Sequence, residues 1–157
     1  MRLYRFGSDP FRPPDQEFNG RGGVLNAGRW HFKGTPCVYT SLSQSLALLE
    51  VLVHRRPKEP TAYPLYIAEV PDRFLQVLHP TAYPEFWRSL YPSPSTQRLG
   101  TGWLKSKAAV GLIVPSVILP GQYNCLLNPE SPDYSHLTLE GPIITLVDPR
   151  LLYPGTP

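Results

Sequence analysis

At 157 residues the chain suits one domain with a substantial core, and its 41% hydrophobic and 17% charged content describes a globular, sparsely charged protein. A net charge of +3, with no Lys/Arg-rich run, argues against direct nucleic-acid binding, and no apolar run approaches the ~20 residues of a membrane span. The two cysteines, Cys37 and Cys125, form no C-x-x-C pair and meet no His at zinc spacing, so no metal site is expected. They read as reduced structural thiols, with a disulfide between them left open.

The N-terminal residues lack the apolar centre of a signal peptide, which places the protein in the cytoplasm by expectation. Arg2 to Phe6 reads as a short strand whose aromatic residues suit a pleated surface. Ser8 to Gly23, with Pro10, Pro13, Pro14 and three glycines, reads as an irregular loop. A Gly-rich loop, Asn26 to Gly34, then presents Arg29, and Cys37 to Thr40 follows as a strand.

Ser41 and Gln44 stand in the S-x-x-Q relation of a capping box, predicting a helix from Leu42 to His54. At ~100° per residue, Leu42, Leu46, Leu49 and Val53 fall within a band of about 60°, and Leu48, Val51 and Leu52 cover much of the remainder. Ser43, Glu50 and His54 gather in a polar stripe about 40° wide. A carboxylate there either pairs with a basic neighbour at the surface or faces a polar cleft, because burial without a partner removes its hydration.

Residues 55–60 form a hydrophilic break, and Tyr63 to Val70 and Phe74 to Leu78 read as strands. The pentapeptide from Pro60 to Pro64 recurs from Pro80 to Pro84; two copies this short are turns rather than a structural repeat. Pro84 to Tyr91 suits a short helix with Pro at its start. A second helix runs from Ser95 or Thr96 toward Lys107, weakened by Gly100 and Gly102. Ala109 to Pro120 is strongly β-branched, and Pro115 requires an edge position or a bulge. Ser116 directly after it is either a turn hydroxyl or a cleft residue. Asn124 to Leu127 and Ile143 to Val147 complete the strands. Without regular strand–helix alternation the class is α+β: a single domain over residues 1–157, with small mixed or antiparallel sheets around a central apolar helix.

Several short segments in register carry a resemblance. Leu3-Tyr4-Arg5, Gly28-Arg29-Trp30, Val38 to Ser41, Leu46 to Glu50, Val114 to Ile118, Asn124 and Leu127 to Pro129 resemble the RES family, named for an Arg, a Glu and a Ser. The match covers nearly the whole chain in the expected order. Ala27 stands where the family frequently has Gly, and His31 where it more often has Asn. The resemblance implies a toxin of a RES–Xre toxin–antitoxin pair, a fold similar to ADP-ribosyltransferase toxins, and attack on NAD+ as substrate, with no bound cofactor. Its implied partner is an Xre-like antitoxin.

Cleavage of the nicotinamide–ribose bond passes through an oxocarbenium-like sugar. On this reading Arg29 supplies a guanidinium for phosphate or ribose oxygens, with a fork that Lys cannot reproduce. Tyr39 offers an aromatic face to nicotinamide, Glu50 a carboxylate near the developing charge, and Ser116 a hydroxyl to position ribose or amide. Arg5 either lines the same cleft or pairs at the surface, and His54 is either a further cleft residue or a boundary histidine. Three functions follow: NAD+ consumption by hydrolysis or by phosphorolysis with inorganic phosphate, ADP-ribosyl transfer to a protein, or a non-enzymatic module in which the Arg, Glu and Ser satisfy one another.

Overall fold

The computed structural model describes residues 1–54 and 61–152; the expected hydrophilic break at 55–60 lies outside them. Seven strands form one mixed sheet in the order β4-β5-β6-β2-β1-β3-β7. They are β1 (Arg2–Phe6), β2 (Val38–Ser41), β3 (Ala62–Glu69), β4 (Leu75–Val77), β5 (Gly111–Pro115), β6 (Tyr123–Leu127) and β7 (Thr138–Leu146). Every pairing is antiparallel except β4 with β5. The several small sheets expected from the sequence are therefore a single sheet, and it, not the apolar helix, occupies the middle of the molecule.

Strand alternation sorts the side chains onto two faces. Leu3, Val38, Tyr66, Ala68, Ile113, Cys125 and Leu127 pack with Phe18, Val70 and Val110 on one face. The opposite face carries two helices. α3 (Gln44–His54) sets Ala47, Leu48 and Val51 on Tyr4, Phe6, Leu65 and Ile67. α4 (Pro94–Ser106) sets Leu104 against Leu112, Val114 and Leu126, with Trp30 between. Between these two packed clusters the sheet face carries Tyr39 and Ser41 of β2 and Asn124 of β6, with Ser41 directly opposite Asn124 in the register.

Several local expectations change. The 8–23 segment is not an irregular loop throughout: α1 (Pro14–Glu17) and α2 (Arg21–Leu25) form within it. Pro14 starts α1, and its last residue, Glu17, is buried where its carboxylate accepts from Arg5 Nε at 2.8 Å and Arg12 Nη1 at 3.1 Å. Two guanidinium donors make that burial tolerable. The helix after β2 begins at Gln44, and its cap is Ser43, whose hydroxyl accepts from the Leu46 N–H at 3.2 Å. Ser41 is instead the last residue of β2, and its side chain is used elsewhere.

No helix forms over residues 84–91, which run through turns and bends. Phe86 adopts a left-handed φ of 61°, and the carbonyls beyond it turn toward Arg29 rather than along a helix axis. β5 is neither an edge strand nor bulged at Pro115; it lies between β4 and β6 and ends at that residue. The edge strands are β4 and β7, and on β7 Ile143, Ile144 and Leu146 are exposed. Cys37 and Cys125 are free, buried thiols, and desolvation pushes the Cys37 thiol up to about 12. No helix among the described residues is long and apolar enough to cross a membrane.

Candidate active site

α4 holds the loop that presents Arg29. On one side of this helix, Gln97 donates through Nε2 to the Gly28 carbonyl at 3.0 Å, and Thr101 Oγ1 accepts from the Phe32 N–H at 2.9 Å. Between them Gly100 comes so close to the Trp30 carbonyl that a Cβ would overlap its oxygen. The spacing 97, 100, 101, 104 is one helical face. The glycine read from sequence as a weakness is the point of closest approach.

Tyr39 fastens the same loop from the sheet. Its hydroxyl accepts from the Trp30 N–H at 3.0 Å and lies 2.9 Å from His31 Nδ1. His31 is buried, with Nε2 at 3.1 Å from the Asn26 carbonyl and 3.3 Å from that of Gly23. Those acceptors assign the proton to Nε2, so Nδ1 accepts from the Tyr39 hydroxyl. Burial lowers the His31 pKa and raises that of Tyr39 well above its ordinary value, which keeps a neutral imidazole and a neutral phenol in this arrangement. Gly28 passes against the same phenol, where a Cβ would overlap the oxygen.

The Tyr39 hydroxyl is therefore an anchor, and the ring face is only part of its contribution. Tyr39→Phe should behave as a loop-loosening change, not a mild one. It leaves the part-buried Trp30 N–H without its acceptor, at a cost of about 1–3 kcal/mol. Urea denaturation should register that loss; unchanged stability would mean that the hydroxyl fastens nothing.

Arg29 donates through Nη1 to the carbonyls of Trp87 at 3.1 Å and Ser89 at 2.8 Å, and through Nη2 to that of Leu90 at 3.2 Å. A guanidinium has five N–H donors. Among the described residues three are committed to the 87–90 segment, leaving Nε–H and one Nη2–H. Burial lowers the Arg29 pKa, and the Glu50 carboxylate opposes that shift.

Glu50 lies on the cavity side of α3 and meets two donors on the same oxygen. Asn124 Nδ2 donates to Glu50 Oε1 at 2.5 Å, and Ser116 Oγ donates to it at 3.4 Å. Asn124 is held in turn by Ser41, whose hydroxyl donates to Asn124 Oδ1 at 2.7 Å. Ser116 Oγ also accepts from the N–H groups of Ile118 and Leu119, so it is a turn hydroxyl and a carboxylate partner at once. Among the described residues nothing else bonds Oε2, and no basic side chain is within ion-pair distance of Glu50.

A cavity of about 1010 Å³ joins these groups; Arg29, Tyr39, Ser41, Glu50, His54 and Asn124 all line it. Ala47, Val51 and Val53 of α3 supply an apolar wall, which explains why the helix is apolar beyond its core-facing side: Val53 is 58% exposed. Of the residues expected at the site, Glu50 and Ser116 are in contact, and Tyr39 and Arg29 share the cavity with them. Arg5 also borders it, donating Nε–H to Glu17 at 2.8 Å and one Nη1–H to the Tyr39 carbonyl at 3.0 Å, so it is both a structural ion pair and a guanidinium at the cavity wall. Asn124 and Ser41 escaped assignment from sequence because their pairing across β2 and β6 joins residues 83 positions apart.

Comparison with known proteins is consistent along nearly the whole chain. A family model described as RES domain matches residues 2–147. A protein of Photorhabdus laumondii named Toxin Res is 36% identical over 135 residues, covering 85% of each chain. A Sphingobium protein named Prs ADP-ribosylating toxin is 31% identical over 154 residues, covering 96% of each. The fold is similar to a chain in the M. tuberculosis MbcT–MbcA toxin–antitoxin complex, with a TM-score of 0.72 at 20% identity, over 97% of this chain and 86% of that one. With the family match running from β1 to the end of β7, and with a relative named Toxin Res 36% identical over 85% of each chain, this chain belongs to the RES domain family.

Proposed function

We propose that the protein is a toxin that consumes NAD+ in the cytoplasm by cleaving its nicotinamide–ribose bond. The observation that carries this reading is Glu50, a carboxylate pinned through one oxygen by Asn124 and Ser116 at the wall of a cavity large enough for a dinucleotide. Held in this way, its second oxygen can accept from a ribose hydroxyl, and its charge favours the cationic sugar that forms as the bond breaks. The C–N bond electrons leave with neutral nicotinamide. A water or phosphate oxygen then bonds to the anomeric carbon, and with water the released proton passes to solvent. The two uncommitted N–H groups of Arg29 suit pyrophosphate oxygens. Tyr39 keeps the Arg29 loop at the distance this requires.

ADP-ribosyl transfer to a protein is the second reading, favoured by the name of the Sphingobium relative. The non-enzymatic reading, in which Arg29, Glu50 and Ser116 satisfy one another, has less support. Glu50 and Ser116 do meet, but the Arg29 bonds go to backbone carbonyls of 87–90.

A partner antitoxin, of Xre type by family resemblance, is part of the proposal, and a toxin of this activity requires one that covers the cavity. The similarity to a toxin–antitoxin complex supports a protein partner. Arg21 and Lys33, which flank in sequence the cavity-lining stretches at Gly22 and His31, are exposed, whereas Arg12 is tied to Glu17.

The test incubates pure protein with NAD+, with and without inorganic phosphate and candidate acceptor proteins. Release of nicotinamide with free ADP-ribose indicates hydrolysis, and with a phosphorylated ADP-ribose, phosphorolysis. Label appearing on an acceptor protein would favour transfer, and intact NAD+ throughout would defeat both enzymatic readings.

A further inference from the structure

The 85–92 segment carries side chains that the fold does not use. Phe86, Leu90 and Tyr91 are 68%, 83% and 77% exposed, an unusual cluster for a lip that is otherwise well fastened. It is fastened by the three carbonyl bonds to Arg29 and by Ser95, whose hydroxyl donates to the Glu85 carbonyl at 3.0 Å. Trp87 packs beneath it in the α4 cluster, edge-on to Tyr83 with ring centroids 5.0 Å apart. Leu90, Tyr91 and Pro92 then line the same cavity as Glu50. An aromatic ring is therefore held on an anchored backbone at the cavity rim, and the hydrogen bonds of the described residues make no use of its hydroxyl.

We infer that Leu90 and Tyr91 form a subsite for the adenine base, with the Tyr91 ring as its stacking face. The inference rests on NAD+ being the ligand. If nicotinamide ribose lies against Glu50 and the pyrophosphate meets the two free N–H groups of Arg29, the second base falls beyond Arg29. That is where Leu90 begins, its carbonyl 3.2 Å from the guanidinium. Arg29 thus does two things: it fixes the lip through three donors and binds phosphate through the others. A stacking face accepts any purine, whereas nicotinamide mononucleotide, lacking the adenylate half, never reaches it.

The experiment titrates adenosine monophosphate and nicotinamide mononucleotide separately into wild type, Tyr91→Ala and Tyr91→Trp by calorimetry, with NAD+ turnover measured in parallel. Loss of one base–aromatic stack should weaken adenosine monophosphate binding by roughly 5- to 150-fold in Tyr91→Ala. Tyr91→Trp should retain it, and nicotinamide mononucleotide should bind all three alike. Wild type that does not bind adenosine monophosphate, an alanine variant that binds it equally, or an equal loss for both mononucleotides overturns the subsite, whatever the turnover. Wild type that leaves NAD+ intact, yet binds adenosine monophosphate in a Tyr91-dependent way, upholds the subsite and removes the proposed reaction instead.

Discussion

Glu50→Gln should lower NAD+ turnover by about 10²–10³ while leaving a folded protein, because it removes a charge and little else. The glutamine carbonyl can still accept from Asn124 and Ser116, the two donors that now share Oε1. The amide would take the place of Oε2, the oxygen assigned to the sugar. Stability should therefore hold while the rate falls, a separation that a purely structural carboxylate would not give. Asn124→Ala should fall between, at about tenfold to a hundredfold, since it frees the carboxylate to wander without removing its charge. Thermal melting and nicotinamide release measured on the same samples decide the matter: turnover near the wild-type rate in Glu50→Gln would remove this residue from the chemistry.

The second large effect is a contrast within α4. Gly100→Ala places a methyl group into the Trp30 carbonyl, a backbone atom that no side-chain rotation can move aside. Against that stands the usual gain of an alanine over a glycine in a helix, about 1 kcal/mol. The overlap with a backbone atom sits at the upper end of the overpacking range and should win, with a net loss of about 1–2 kcal/mol and a fall in Tm of about 2–8 °C for a chain of this size. Gly102, two residues on, is exposed, and a Cβ there meets nothing within 4 Å. Gly102→Ala should raise stability by about 0.5–1 kcal/mol. Opposite signs in neighbouring glycines of one helix, read by differential scanning calorimetry, test the clamp directly. Equal stabilisation by both substitutions would show that α4 does not hold the Arg29 loop closely. NAD+ turnover should fall in Gly100→Ala alone, because only that change displaces the loop carrying Arg29.

Local chemistry was readable before any fold was known. β1 was legible because its aromatic and apolar residues suit a pleated surface and the run stops at Gly7. α3 was legible as a helix, and Glu50 as its one acid, from the 3.6-residue period. Its cap was misplaced because Ser41 and Gln44 match the capping box whereas Ser43 has Leu46 three residues on, and the true cap depends on where β2 ends. β2 reaches Ser41 because Asn124 across the sheet takes its hydroxyl.

The sequence by itself determined the class of fold, the residue types of the site and the family those residues resemble, since each rests on short patterns and their order. Only the tertiary structure decided what those residues do to one another. Tyr39 became an anchor because the 28–31 loop folds back over its hydroxyl, and Arg5 a structural ion pair because α1 brings Glu17 beneath β1. The 84–91 segment has a helical composition, yet its carbonyls turn to a guanidinium 58 to 61 positions away in the chain. Local propensity is worth tenths of a kcal/mol per residue, whereas charge-assisted bonds to a partly buried arginine are each worth about 1.5–3 kcal/mol, so the distant partner prevails.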